Sequence, residues 1–190
     1  MTTVVVPFRS GGKTRLPTGI RAELSLAMLR DVLEAADSVG RVRLVTDDSA
    51  ATHIANALGV EVVSDPGGGQ GAAVVSALAG LDGRCLVVNA DLPCVSRRAL
   101  LELALRCPAL VAAADGTTNA LSLPAPGAFA PLYGQGSAAR FEGAGLTRVS
   151  IPALEHDVDT VEDIGRLTLP VGARTSLVLN QHKLRLASAS

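Results

Sequence analysis

The stretch TVVVPFRSGGKTRLP, residues 3–17, contains GGKT, which has the look of the end of a nucleotide-binding P-loop. A P-loop has the form GxxxxGK[ST], so with Gly12, Lys13 and Thr14 at its end the first glycine would fall at position 7, which is Pro7. It also needs its lysine on the first turn of a helix whose N–H groups face the phosphates. Pro17 follows three residues after Thr14. It removes a backbone donor and biases Leu16 away from helical angles, so a helix begun at Gly12 breaks in its first turn. What remains is a strand that ends at Val6 or Pro7 and empties into a loop holding Arg9, Lys13 and Arg15. Such cations, with exposed glycine amides, suit a triphosphate; a solvated basic turn is the alternative. Open α/β sheets bind ligands beyond the carboxyl ends of their strands, which favours the phosphate loop.

Outward from this stretch, short apolar runs recur: RVRLVT from 41, VEVVS from 60, RCLVVNA from 84 and ALVAAA from 109. They read as buried strands. Helical spacing lies between them, clearest in RAELSLAMLRDVLEAAD from 21, where Leu24, Ala27, Met28 and Asp31 adjoin a stripe of Leu26, Leu29, Val32 and Leu33. The alternation predicts one α/β domain with a mainly parallel sheet flanked by helices. After residue 115 the pattern changes. TNALSLPAPGAF reads as a strand broken by Pro124 and Pro126, GSAARFEGAG as a helix, and TRVSIPAL as an extended piece, together an insertion beside the sheet. Thr160 and Asp163 form an acidic variant of the capping box before a short helix. The expected domain is 1–168, with 169–190 a tail or peripheral strand.

Hydrophobic residues make up 48% of the chain and aromatics 2%, so the core must be built from Val, Leu and Ala. A formal charge of -1 with scattered ions offers no footprint for nucleic acid or an anionic membrane. No run reaches the length of a membrane span, and the expected location is the cytoplasm. Cys85, Cys94 and Cys107 lack metal-site spacing and read as free thiols. A small-molecule partner is expected.

Asp91 follows the apolar run VVNA, and Asp157 and Asp159 stand two apart. Residues i and i+2 of an extended segment share a face. Carboxylates so placed suit Mg²⁺, which takes one or two of them and completes its shell with water and phosphate oxygens. Beside a basic loop, Asp91, Asp157 and Asp159 are ingredients of metal-assisted phosphoryl or nucleotidyl transfer. The alternative for Asp157 or Asp159 is a cap on the helix beginning near Thr160. His156, alone on a loop, reads as solvated.

The order VPFR…KTRL, RAELSLAMLRDVL, VTDD, NADLP, DGTTNALSLP, YGQGSAARF and DVDTVEDI resembles the phosphoenolpyruvate or 2-phospho-L-lactate guanylyltransferases of coenzyme F-420 (deazaflavin) biosynthesis, over residues 3–168. The resemblance implies a Rossmann-like, glycosyltransferase-A-like nucleotidyltransferase fold. It implies that GTP and a small phosphorylated C3 acid yield a guanosine diphosphate-linked acid and pyrophosphate, the product passing to a transferase that joins it to the deazaflavin precursor. It assigns Mg²⁺ to Asp91, Asp157 and Asp159. Phosphoenolpyruvate falls to Thr118, Gly134 (in preference to Gly136) and Ser137. The nucleotide falls to Pro7, Phe8, Arg9, Gly12, Lys13, Arg15, Gly69 and Asp91, with Lys13, Arg15 and Asp91 as catalytic groups. The attacking phosphate is already anionic at neutral pH and needs no general base, consistent with the lack of a Ser/His/Asp or Cys/His set.

Several positions depart from the family pattern. DPxxGLNxA is here DPGGGQGAA, with Gly71 in the asparagine slot. Arg9 replaces a lysine, Phe141 a frequent histidine, and the register of Thr117 and Thr118 is open by one residue. The remaining alternatives are 2-phospho-L-lactate or 3-phosphoglycerate as acceptor, and a catalytically silent nucleotide-binding protein of this fold.

Overall fold

The computed structural model describes residues 2–10 and 16–188. The glycine and cations assigned to the opening loop at Gly12, Lys13 and Arg15 lie outside the described residues. Alternating segments form β1 (Thr3–Pro7), α1 (Thr18–Asp37), β2 (Arg41–Val45), α2 (Ser49–Ala57), β3 (Glu61–Val63), α3 (Gln70–Leu78), β4 (Cys85–Val88), α4 (Arg97–Leu105) and β5 (Ala109–Ala112). The chain continues as β6 (Thr118–Leu123), a 3₁₀ turn at Pro126–Ala128, α5 (Ser137–Gly143), β7 (Thr147–Arg148), α6 (Pro152–Glu155), α7 (Val161–Arg166) and α8 (Ala173–Ser188). Helix α1 starts at Thr18 with Pro17 as its N-cap, and the Arg21 guanidinium donates to the Leu16 carbonyl at 2.7 Å. The proline therefore opens this helix instead of sitting inside it.

The sheet runs β3-β2-β1-β4-β6-β5-β7. Parallel pairing joins β3, β2, β1 and β4, and β6 runs antiparallel to both β4 and β5. Because strand side chains alternate, Val4, Val6, Leu86 and Val88 enter one apolar layer with α1 and α4. Val5, Cys85 and Val87 enter the other, with α3 and α5. Burial raises the pKa of the Cys85 and Cys94 thiols.

Three expectations change. The segment after residue 115 is not beside the sheet: β6 sits within it, all six residues buried. The extended piece at 147–154 is a two-residue strand that turns into α6 at Pro152, whose fixed φ suits a first helical position. The tail is neither strand nor peripheral, since residues 173–188 form α8 against α1. Asp31, in the α1 stripe, accepts from Arg174 N at 3.0 Å, Thr175 N at 2.9 Å and Thr175 Oγ1 at 2.7 Å. A carboxylate from another helix thus satisfies the unpaired N–H groups of the first turn, and Val178 joins Leu16, Leu24 and Met28 in a third apolar cluster.

A β-bulge sets the direction of β6 side chains. Val111 pairs with Ala120 but Ala112 with Thr118, leaving Asn119 as the extra residue. Ala120 lies in the layer with α6, and Asn119 Nδ2 donates to the Leu154 carbonyl of α6 at 3.1 Å. Beyond the bulge the alternation resumes one step out, so Thr118 meets Ser137 of α5, hydroxyl to hydroxyl at 3.0 Å.

Candidate active site

The strand order reverses between β1 and β4, where β1 leads to β2 on one side and β4 lies on the other. A crevice opens at such a point beyond the carboxyl ends. Here it is a cavity of about 240 Å³ whose walls include Pro7 at the end of β1, Phe8 and Arg9 just beyond it, Asn89 and Asp91 just beyond β4, and Asp159. Ser25, Asp65 and Gln70 complete its polar lining.

Asp91, Asp157 and Asp159 each place an oxygen within 4.8 Å of the others. Local packing explains the meeting. Val158 N donates to the Asp91 carbonyl at 3.2 Å, and the Val158 side chain is buried in the α1/α8 cluster. Its two neighbours therefore turn toward Asp91. The helix cap that offered an alternative for these acids is supplied by other residues. Thr160 Oγ1 accepts from Asp163 N while Asp163 accepts from Thr160 N at 2.8 Å. Burial would raise the Asp163 pKa, but hydrogen bonds from the Thr160 hydroxyl and the Asp159 and Thr160 amides outweigh it and hold the carboxyl below its usual range. Opposite oxygens on Mg²⁺ stand about 4.2 Å apart, so the carboxylate spread fits a small divalent ion after modest rotamer adjustment. His156 lies apart, on a surface cavity with Ala112 and Ser150.

Arg9 reaches the cavity wall, yet its guanidinium grips the Asp65 carboxylate through Nε and, at 2.7 Å, through the second nitrogen. The same nitrogen approaches the Gly69 carbonyl at 3.4 Å. The Arg9 hydrogen bond lowers the Asp65 pKa, and Asp65 keeps Arg9 protonated. Asp47 braces this pair by accepting from Ser64 Oγ and Asp65 N. Arg9 thus fastens the β1 loop to the β3–α3 loop. Gly69, with φ 96°, is the N-cap of α3, a conformation that side-chain-bearing residues rarely adopt.

The other expected substrate residues are grouped nearby. Gly69 and Gly134 line a second, more open cavity with Gln70 and Tyr133. Thr118 and Ser137 are 2% and 0% exposed, and Ser137 N donates to the Gly134 carbonyl. Of the two threonines whose register is open in the sequence, Thr118 is the buried one, while Thr117 bonds Asp115 within the preceding turn. Gly71 is crowded by Pro131, which lies 2.7 Å from where a Cβ would stand, so the asparagine slot admits no side chain without movement. Phe141 packs edge-on to Tyr133 with ring centroids 5.4 Å apart.

Sequence reasoning missed Asp65, Gln70, Asn89 and Asn119. Asn89 had a local signal, standing two residues before Asp91 after a buried strand. Asp65 opens the DPGGGQGAA run, but its pairing had no local mark, since its partner is 56 residues away.

A mostly parallel sheet with a carboxylate trio at its switch point is the framework of a nucleotidyltransferase. The chain belongs to the MobA-like NTP transferase family, whose domain model matches residues 13–174, and within it to the family of the phosphoenolpyruvate guanylyltransferases. The enzyme so named from Streptomyces coelicolor is 37% identical over 201 residues, covering 93% of this chain and 94% of its own. Phosphoenolpyruvate guanylyltransferase 2 of Rhodococcus jostii is 32% identical over 204 residues, covering 98% and 95%. Among solved structures, a nucleotidyl transferase from Methanothermobacter thermautotroptrophicus aligns with a TM-score of 0.63 at 20% identity, over 87% of this chain and 95% of that one. It supports the fold. No helix among the described residues is long and apolar enough to cross a membrane.

Proposed function

We propose that the protein transfers a guanylyl group from GTP to phosphoenolpyruvate. The observation that carries this reading is the convergence of Asp91, Asp157 and Asp159 at the mouth of β4, in a chain with phosphoenolpyruvate guanylyltransferases as relatives. A phosphate oxygen of the acceptor forms a bond to the α-phosphorus of GTP, the α–β bridging bond breaks, and pyrophosphate leaves with the electron pair. The three aspartates would hold Mg²⁺, which supplies charge compensation on the α-phosphate and the leaving pyrophosphate. Alignment is the main demand on the chain. Pro7, Phe8 and the Arg9–Asp65 clamp shape the nucleotide wall, with Gly12, Lys13 and Arg15 assigned to its phosphates. Thr118, Gly134 and Ser137 are assigned to the acceptor, and because both hydroxyls are buried, contact requires the 134–137 turn to open toward the cavity. The product suits a following transferase that exchanges GMP for an alcohol, as the deazaflavin resemblance implies.

The test is pyrophosphate release from GTP and Mg²⁺ with phosphoenolpyruvate, 2-phospho-L-lactate and 3-phosphoglycerate in turn. Release with phosphoenolpyruvate, abolished by a chelator, is expected. Release with phospholactate alone overturns the acceptor, and release with none overturns the reaction.

A further inference from the structure

Gln70 is the first residue of α3 and lies on the walls of both cavities. Its carboxamide is oriented by a chain of hydrogen bonds. Asn89 Nδ2 donates to the Thr118 carbonyl at 3.2 Å, which turns Asn89 Oδ1 toward Gln70, and Gln70 Nε2 donates to that oxygen at 2.7 Å. An amide has its donors and acceptor on opposite branches. With one Nε2 hydrogen committed to Asn89, the orientation of the amide is set, and Oε1 and the second Nε2 hydrogen are the groups left for a ligand. The amide cannot flip without setting two oxygens face to face.

Among the other side-chain acceptors of the cavity, the Ser25 hydroxyl can donate as well as accept and so does not tell a protonated ring nitrogen from a bare one. The rest have partners or neighbours already. Asp65 receives Arg9 and the Gly67 amide, Asn89 Oδ1 receives Gln70, and Asp91 and Asp159 belong to the carboxylate trio. The adjoining position is closed to a reading side chain, because Pro131 crowds Gly71. We infer that Gln70 is the base-reading residue of this chain, its Oε1 accepting from N1–H of guanine. Adenine presents a lone pair at N1, which an oxygen fixed in this orientation repels. Inosine keeps the N1 proton and is admitted.

This inference rests on GTP being the nucleotide. Equilibrium binding of GTP, ITP, ATP and 2′-deoxy-GTP to the full chain with Mg²⁺, without any phosphoacid, tests it apart from the choice of acceptor. Wild type is expected to favour GTP and ITP over ATP. Gln70→Leu should weaken GTP and ITP by about 10- to 100-fold and ATP by under about threefold, the cost of one lost hydrogen bond in an enclosed site. Gln70→Met is the second variant should the leucine misfold, with melting temperature recorded for both. An unchanged GTP-to-ATP ratio in a folded variant overturns the assignment. So does a loss on GTP that vanishes on 2′-deoxy-GTP, which would make the ribose the partner. Guanine selectivity that depends on Gln70, without pyrophosphate release from any acceptor, would overturn the proposed reaction and leave the base-reading role standing.

Discussion

Replacing Asp31 by alanine removes the carboxylate that joins α8 to α1. Thr175 is 1% exposed, so its N–H and hydroxyl lose their partner where water cannot replace it, at about 1–3 kcal/mol each. Loss of a cap at a helix start adds about 1 kcal/mol. Against this stands the relief of desolvating a carboxylate that is itself 7% exposed, and some repacking around the shortened side chain. The net cost is about 3 kcal/mol, which for a chain of this length lowers the melting temperature by about 6–12 °C. Gly172→Ala checks the geometry from the other side. Its new Cβ would stand 2.2 Å from the Asp31 carboxyl carbon and 2.6 Å from the Asp31 Cβ, so the substitution should destabilise the wild type and cost less in the Asp31→Ala background, where only the Cβ contact remains. Thermal melts of the two single variants and the double variant measure this coupling. Additive losses, or an Asp31→Ala variant melting within about 2 °C of wild type, would refute the docking of α8 through Asp31.

Asp91→Asn should lower Mg²⁺-dependent turnover by about 100-fold or more, while melting stays level or rises because like charges within 4.8 Å are thinned; full activity would remove Asp91 from the metal site. Asp65→Asn should cost about 1 kcal/mol at neutral pH, a small figure because Arg9 is 44% exposed. The Arg9 bond lowers the folded-state pKa of Asp65, so its stabilisation is complete above the unfolded value of about 3.9 and fades as pH falls through the folded value. Melts of wild type and variant should therefore converge in acid, and a gap that widens there contradicts the pairing. Asn119→Leu should leave stability within about 1 kcal/mol, since it gives up one hydrogen bond to Leu154 and also removes an Oδ1 that accepts none among the described residues. It should raise the Mg²⁺ concentration needed for half-maximal rate, read from metal titrations, because α6 leads directly into Asp157 and Asp159.

The parallel half of the sheet was legible because strands buried on both faces read as unbroken apolar runs, and TVVVP and CLVV became β1 and β4. The meeting of Asp157 with Asp159 followed from the i, i+2 rule. Their meeting with Asp91 depends on the Val158 amide and the burial of its side chain, neither of which has a local mark. The place of β6 was hidden for a related reason: a strand's neighbours are chosen by tertiary pairing, and the bulge at Asn119 offsets the alternation from which its faces would be read. Helix α8 was missed because the carboxylate that satisfies its first turn lies 143 and 144 residues away, on α1.

That long-range cap brings the C-terminal segment into the functional site's support. Gly172 N donates to the Pro93 carbonyl at 2.8 Å, and the Cys94 thiol approaches the Leu169 carbonyl at 3.6 Å. The turn into α8 therefore rests on the residues that follow Asp91. Val178 of α8 shares an apolar cluster with Val158, the residue whose burial turns Asp157 and Asp159 outward. One side of the carboxylate trio is thus steadied through Pro93 and the other through Val158, and both supports pass through α8. A boundary at residue 168 would separate the aspartates from the helix that supports their convergence, so the structural unit that holds the carboxylate trio includes α8.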